Sequence, residues 1–184
     1  EGPFFLVDPL DGTKEFLKKD GKGAFTVNIA LIKNEVPVFG MVHAPALKRF
    51  FSGIVGHGSI EKSGTQSTAI TISERKTINI IAVASASHRD EGTNKWLKAN
   101  KIERTISIGS SLKFCLLATG EADVYPRFAP TMEWDTAAGD AILRASGGIV
   151  TNPFDKKEFK YGKKEYRNNG FIAWGKYRPP KEIT

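Results

Sequence analysis

The stretch Asp8-Pro9-Leu10-Asp11-Gly12-Thr13, entered from the apolar run Phe4-Phe5-Leu6-Val7, decides how the rest of this chain is read. The apolar run predicts a buried strand over residues 4–8. Proline at position 9 has no amide to donate, so the strand is expected to stop at Asp8-Pro9. Gly12 then supplies a turn and lets the backbone come close to an ion or a phosphate. Two carboxylates thus stand three positions apart at the carboxyl end of a strand. Hard cations such as Mg²⁺ take oxygen ligands in octahedral geometry. Asp8, Asp11 and the carbonyl of Leu10 can all be offered by one tight loop, with the Thr13 hydroxyl placed to hold a water. An Asx-turn, in which each aspartate caps local backbone, is the plain alternative for an isolated Asp-x-x-Asp.

A second acidic stretch, Trp134-Asp135-Thr136-Ala137-Ala138-Gly139, weighs against that alternative. Asp135 falls in the first turn of a helix predicted over 134–145, where the helix dipole favours a carboxylate. The alanines of that helix let it pack closely on its neighbours, and Gly147-Gly148 closes it.

Working outward, residues 25–33 and 36–44 are two β-rich runs joined by Asn34-Glu35, a hairpin signal without the favoured Asn-Gly. Residues 48–55 predict a third strand. The Gly/Ser/Thr-rich stretch 56–77 reads as loops and edge, with a short strand near 70–72. From about residue 78 the pattern changes. Strands are expected at 78–84, 104–108, 122–126, 149–150 and 171–174. Helices are expected at 90–100, at 112–119 after Gly109-Ser110-Ser111, and at 134–145. Strand–helix alternation after an antiparallel run predicts a layered α+β and α/β sandwich. Its expected lobes are an antiparallel-sheet lobe over 1–78 and a mixed α/β lobe over 79–184.

The chain has 184 residues, 40% of them hydrophobic and 26% charged, the composition of a globular fold. No apolar run approaches the roughly 20 residues that span a bilayer, although a peripheral membrane contact stays open. The single cysteine, Cys115, allows no internal disulfide, and a reducing cytoplasm is the expected setting. Cys115 lies in an apolar helix and reads as core, and Trp96, Trp134 and Trp174 read as packing residues. His43 and His57 lack the spacing of a zinc site. The net charge is +7, but the lysines are spread along the chain without the aromatic interleaving of a single-strand binder. A solvated surface accounts for most of them; a small anionic substrate is the sharper reading.

The two acidic stretches together resemble the paired signature of the inositol monophosphatase superfamily, and the resemblance spans nearly the whole chain. It implies a Mg²⁺-dependent, Li⁺-inhibited phosphatase with two or three ions held by Asp8, the Leu10 carbonyl, Asp11 and Asp135. It also implies catalytic roles for Asp8 and for Thr13, which would orient the attacking water. Lys14-Glu15-Phe16 is similar to the 3'(2'),5'-bisphosphate nucleotidase branch of bacterial sulfur assimilation rather than to inositol monophosphatases. Three further stretches resemble segments that enclose the nucleotide in that branch: Ser85-Ala86-Ser87-His88, Gly109 to Cys115, and Val124 to Phe128.

The chemistry fits a second phosphate. A Gly-Ser-Ser helix start attracts anions, Lys113 follows Ser110 on the same face, and Arg127 at a strand end can grip phosphate with two donors. The expected substrate contacts are Gly12, Thr13, Ser85, His88, Ser110, Lys113, Arg127 and Asp135. Singly, each has a bland reading: a surface histidine, a surface ion pair at Arg127, an N-cap at Ser110.

The implied reaction is hydrolysis of adenosine 3',5'-bisphosphate, or of its sulfated form, by a monomer or homodimer. The alternatives are an inositol or fructose bisphosphate type of sugar phosphatase and, in another class, an inactive anion-binding remnant. The family pattern includes a glutamate ligand and a further acidic residue ahead of the first loop, and Glu1 does not match either. An upstream segment is therefore expected, and the 184-residue chain alone is expected to be weakly active or inactive.

Overall fold

The computed structural model describes residues 2–17, 23–72, 78–84 and 90–177. Six strands, taken in chain order, form an antiparallel sheet. They are β1 (Phe4–Asp11), β2 (Thr26–Lys33), β3 (Val36–Ala44), β4 (Arg49–Ile54), β5 (Gly58–Ser63) and β6 (Gln66–Ile70), with a short helix α1 (Thr13–Leu17) between the first two. Strand β2 shows the period of two that drives this sheet: Thr26, Asn28, Ala30 and Ile32 are buried, whereas Val27, Ile29 and Leu31 are half-buried. Asn34 and Glu35 both adopt positive φ, 52° and 63°, the mirror-image turn whose twist suits a two-residue hairpin.

Two expectations need correction. Residues 56–77 were expected as loops and edge, but they hold β5 and β6, paired through Ser63↔Gln66 around Gly64. These strands are mostly polar and exposed at the sheet's rim, so they carry no apolar alternation to read. The run at 4–8 is not a buried strand ending at Asp8. It is an edge strand continuing to Asp11, with Leu6 buried but Phe5 63% and Val7 49% exposed. Pro9 is tolerated because β1 pairs on one side only.

The register of β1 explains the acidic loop. Asp8 pairs with Asn28 and Asp11 with Thr26, so three steps along β1 match two along β2. In a regular strand, residues three apart point to opposite faces; the extra residue of this bulge returns Asp11 to the side of Asp8. That side is the inner one, since Leu6, Thr26 and Asn28 are buried.

The second half opens with β7 (Ile81–Ala84), α2 (Glu91–Ala99), β8 (Arg104–Ser107), α3 (Leu112–Ala118) and β9 (Val124–Arg127). It continues with β10 (Thr131–Met132), α4 (Ala137–Ala145), β11 (Ile149–Thr151), β12 (Arg167–Asn168) and β13 (Phe171–Trp174). A five-stranded sheet has the order β11-β13-β9-β7-β8, parallel across β8, β7 and β9 and antiparallel beyond. Strands β10 and β12 form a separate small ladder.

Helices α3 and α4 fill the space between the two sheets. Leu112, Leu117, Ile142 and Leu143 join Ile32, Val42 and Phe51 of one sheet and Val83, Tyr125 and Phe171 of the other in a single core. On the far face of the five-stranded sheet, Leu97 of α2 packs with Ala82, Val124, Ile172 and Trp174. Trp96 and Trp174 meet edge to face there, and Cys115 is buried as expected. The layers are therefore antiparallel sheet, helix pair, mixed sheet and outer helix. Helix α4 comes very close to the first sheet: a Cβ added at Gly40 would stand 2.2 Å from the Ala138 carbonyl oxygen, and one at Gly53 2.9 Å from Ala145 Cβ. Among the described residues no helix is long and apolar enough to cross a membrane.

Candidate active site

Three carboxylates converge from two distant parts of the chain: ligand-capable oxygens of Asp8, Asp11 and Asp135 all lie within 4.8 Å of one another. Each is steadied through one oxygen by a backbone amide. Leu10 N donates to Asp8 Oδ1 at 3.0 Å, Ser111 N to Asp11 Oδ2 at 2.7 Å and Met132 N to Asp135 Oδ2 at 2.8 Å. Each carboxylate also offers an oxygen that could ligate a cation.

Asp135 does not sit inside the helix as the sequence suggests. It ends a separate 3-10 turn, Glu133–Asp135, and α4 starts at Ala137. The Asp135 side chain folds back on Met132 instead of capping α4. Buried Asn168 holds this turn from behind, its Nδ2 lying 3.1 Å from Thr131 Oγ1, Met132 O and Thr136 Oγ1.

The cluster is electrostatically costly without a cation. Burial, then the charges of Asp11 and Asp8, push Asp135 up to about 6 despite the Met132 amide. Burial and the Asp11 charge likewise raise Asp8, against the Leu10 amide. A three-carboxylate cluster in which Asp8 and Asp135 resist ionisation suits a hard divalent ion, whose charge would reverse both shifts. The donor set fits Mg²⁺ better than a soft metal, since it offers oxygen alone.

A cavity of about 340 Å³ extends from Asp11 and Asp135. Its wall brings together Gly12, Thr13, Ser110, Lys113 and Arg127, five of the expected substrate contacts, in addition to Asp135. Ser85 and His88, also expected there, lie outside the described residues. Gly12 adopts φ +88°, a conformation open to glycine at little cost, and its carbonyl accepts Phe16 N at 3.0 Å to start α1. The Leu10 amide turns to Asp8, donating to Oδ1 at 3.0 Å.

The far wall is cationic. Lys113 is 5% exposed; its ammonium donates to Ser110 O at 2.8 Å and lies 5.5 Å from the Tyr125 ring centre. Burial pulls it down to about 8, with the Asp11 charge opposing. Buried and without a hydrogen-bond partner among the described residues are Ser110 Oγ and Arg127 Nε. Ser110 is not the N-cap expected from sequence: Ser111 holds that position and makes no side-chain cap, while Ser110 sits at φ 50°.

Sequence reasoning missed Ser111. Its amide fixes Asp11, and its hydroxyl donates to the Asp135 carbonyl at 2.6 Å while accepting Asn28 Nδ2 at 2.9 Å. No local signal marks it, because its partners are remote in sequence. The cavity also lies beyond the carboxyl ends of β8 and β9, where the chain order turns back across β7. Parallel sheets place ligands at such a switch point.

The inositol monophosphatase family model matches residues 1–178. Proteins named 3'(2'),5'-bisphosphate nucleotidase CysQ are similar: that of Salmonella typhimurium is 46% identical over 169 residues and that of Escherichia coli K12 is 44% identical. Each alignment covers 91% of this chain, and the chain spans 66% of the length of these curated relatives. Among solved structures, CysQ from Bacteroides thetaiotaomicron, a bacterial member of the inositol monophosphatase family, superposes with a TM-score of 0.85 at 41% identity. That match covers 96% of this chain and 71% of the other.

Proposed function

The chain belongs to the inositol monophosphatase family, and on that premise we propose that it carries the active site of a Mg²⁺-dependent 3'(2'),5'-bisphosphate nucleotidase. The reaction is hydrolysis of adenosine 3',5'-bisphosphate, or its sulfated form, at the 3'-phosphate. The observation that carries this reading is one cavity lined by two unlike groups: carboxylates of the acidic cluster, and a buried lysine with a half-buried arginine. A substrate with one phosphate needs the first group only; a substrate with two uses both.

In this reading Asp8, the Leu10 carbonyl, Asp11 and Asp135 hold two or three Mg²⁺ ions, with Li⁺ as an inhibitor. Bound magnesium supplies Lewis-acid activation of water and offsets charge on the phosphoryl and leaving oxygens. Thr13, at the start of α1, directs its hydroxyl to the attacking water. Ser110, Lys113 and Arg127 receive the second phosphate through a hydroxyl, an ammonium and a guanidinium; Ser85 and His88 are further substrate contacts proposed from the sequence resemblance. In the same reading Asp8, Asp11 and Thr13 come from the lobe proposed over 1–78, and Ser110, Lys113, Arg127 and Asp135 from the lobe proposed over 79–184. A cytoplasmic monomer or dimer fits this reading.

The test is Mg²⁺-dependent phosphate release by the full-length gene product, with adenosine 3',5'-bisphosphate, inositol 1-phosphate and fructose 1,6-bisphosphate compared. A preference of about 100-fold for the nucleotide is expected from two charge-assisted contacts. Preference for inositol 1-phosphate would keep the carboxylate cluster and discard the role given to Lys113 and Arg127.

A further inference from the structure

Glu15 lines the same cavity, yet neither the carboxylate cluster nor the cationic wall has a use for it. It stands in α1, and its side chain runs from the acidic loop toward the loop that precedes α3. Three glycines make room for it. A Cβ added at Gly109 would stand 3.1 Å from Glu15 Cγ and Cδ, one at Gly12 3.3 Å from Oε2, and one at Gly23 2.4 Å from the Glu15 carbonyl oxygen. Gly23 sets the position of the Glu15 backbone, and Gly109 lets its side chain lie close against the loop before α3.

The charges around it define where it points. Gly12, next to Asp11 in the chain, lies against its Oε2, and Gly109, next to Ser110, lies against its Cγ and Cδ. The Lys113 ammonium lies near enough to feel the Glu15 charge. The carboxylate therefore lies between the two ends that would hold phosphates. A fixed negative group there repels a further phosphate, so it does not serve anion binding as such. What it does offer is a strong acceptor for a neutral hydroxyl or amine donor.

Deepening the nucleotide reading, we propose that Glu15 reads the sugar between the two phosphates: its carboxylate accepts a hydrogen bond from a ribose hydroxyl and so selects ribonucleotide over deoxyribonucleotide bisphosphates. This rests on the bisphosphate reading above. An acceptor held in a binding cavity gains from the hydroxyl and is left facing carbon when it is missing, which is how a site that hydrogen-bonds a substrate hydroxyl discriminates. The same carboxylate disfavours substrates with an additional phosphate at that position.

The test compares adenosine 3',5'-bisphosphate with 2'-deoxyadenosine 3',5'-bisphosphate in the full-length wild-type enzyme and its Glu15→Gln and Glu15→Ala variants. The wild type is expected to favour the ribonucleotide by about 10- to 100-fold in kcat/KM, the range of a hydrogen bond to a charged group. Glu15→Ala is expected to bring that ratio within about 3-fold, and Glu15→Gln, which keeps an acceptor, to leave it between. Calorimetric Kd values for AMP and 2'-deoxyadenosine 5'-monophosphate, which need no turnover, should show the same preference and the same loss. A wild type that treats the sugars alike, or a ratio that survives Glu15→Ala, overturns the role of Glu15 and leaves the nucleotidase reading intact. An enzyme that hydrolyses inositol 1-phosphate and neither nucleotide overturns both.

Discussion

The two ends of the cavity are made differently. At the acidic end, every carboxylate has one oxygen tied to a backbone amide at 2.7–3.0 Å. At the cationic end, Ser110 Oγ and Arg127 Nε are buried with no partner among the described residues, and Lys113 is buried with its charge opposed by desolvation. One end is organised before anything binds, and what it still needs is a counter-charge. The other pays for unmet polar groups in the free protein and is satisfied by the ligand itself. The acidic end should therefore control whether the chemistry happens, and the cationic end which substrate it happens to.

The sharpest way to break this contrast is at Asp11. Asp11→Asn keeps the Ser111 amide contact and removes a full charge from the cluster. It is expected to lower kcat/KM by about 10³-fold or more on every substrate, mono- or bisphosphate, since metal activation supplies several kcal/mol. Steady-state phosphate release on adenosine 3',5'-bisphosphate and inositol 1-phosphate checks it; a selective loss on one substrate contradicts the division of labour.

Lys113→Met is expected to do the opposite. Turnover of the bisphosphate should fall by about 100-fold, mainly in KM, with a single-phosphate substrate nearly untouched. Because Lys113 loses its proton near pH 8 in the free protein, the KM for the bisphosphate should rise above pH 8, approaching about tenfold per pH unit. Lys113→Arg should flatten that rise; a pH profile of KM decides.

Ser110→Gly separates a ligand role from a backbone role. Position 110 has φ 50°, which costs a non-glycine residue about 1 kcal/mol. The glycine variant should melt no lower than the wild type, yet bind the bisphosphate about 5- to 10-fold more weakly through the lost hydroxyl. Unchanged binding would reduce Ser110 to a strained turn residue.

The smallest expected effect is on metal-free stability. Unfolded Asp135 gives up its proton near its ordinary value of 3.8, whereas in the folded chain it does so at about 6. Between those values the folded state holds the extra proton, so stability falls as pH rises from about 4 to about 6, and the loss persists above. Thermal melts in a chelator should show this as a few degrees in Tm. Added Mg²⁺ should recover it at pH 7, and Asp135→Asn should weaken the dependence, leaving the smaller part that comes from Asp8.

Much of the arrangement was legible because it rests on local pattern. The alternation in 26–33 and 36–44 needed only a period of two, and the hairpin at Asn34-Glu35 needed only a polar pair between apolar runs. Asp8, Asp11, Thr13 and Asp135 stood out by residue type and spacing. Strands β5 and β6 were not legible, since exposed polar rim strands carry no apolar signal. Nor was Ser111, whose value depends on Asp11 and Asp135 meeting it from elsewhere in the chain.

The amino-acid sequence by itself determined which groups are present: three carboxylates, a threonine, a lysine and an arginine set at the ends of strands and the starts of helices. It also determined a helix of small residues able to lie within van der Waals contact of Gly40 and Gly53. Only the tertiary structure decided which way those groups face. An extra residue in an edge strand turns Asp11 to the side of Asp8, a 3-10 turn swings Asp135 off its helix, and one buried serine joins them. Those outcomes depend on contacts between residues far apart in sequence, and side-chain direction there is set by packing and pairing rather than by local preference.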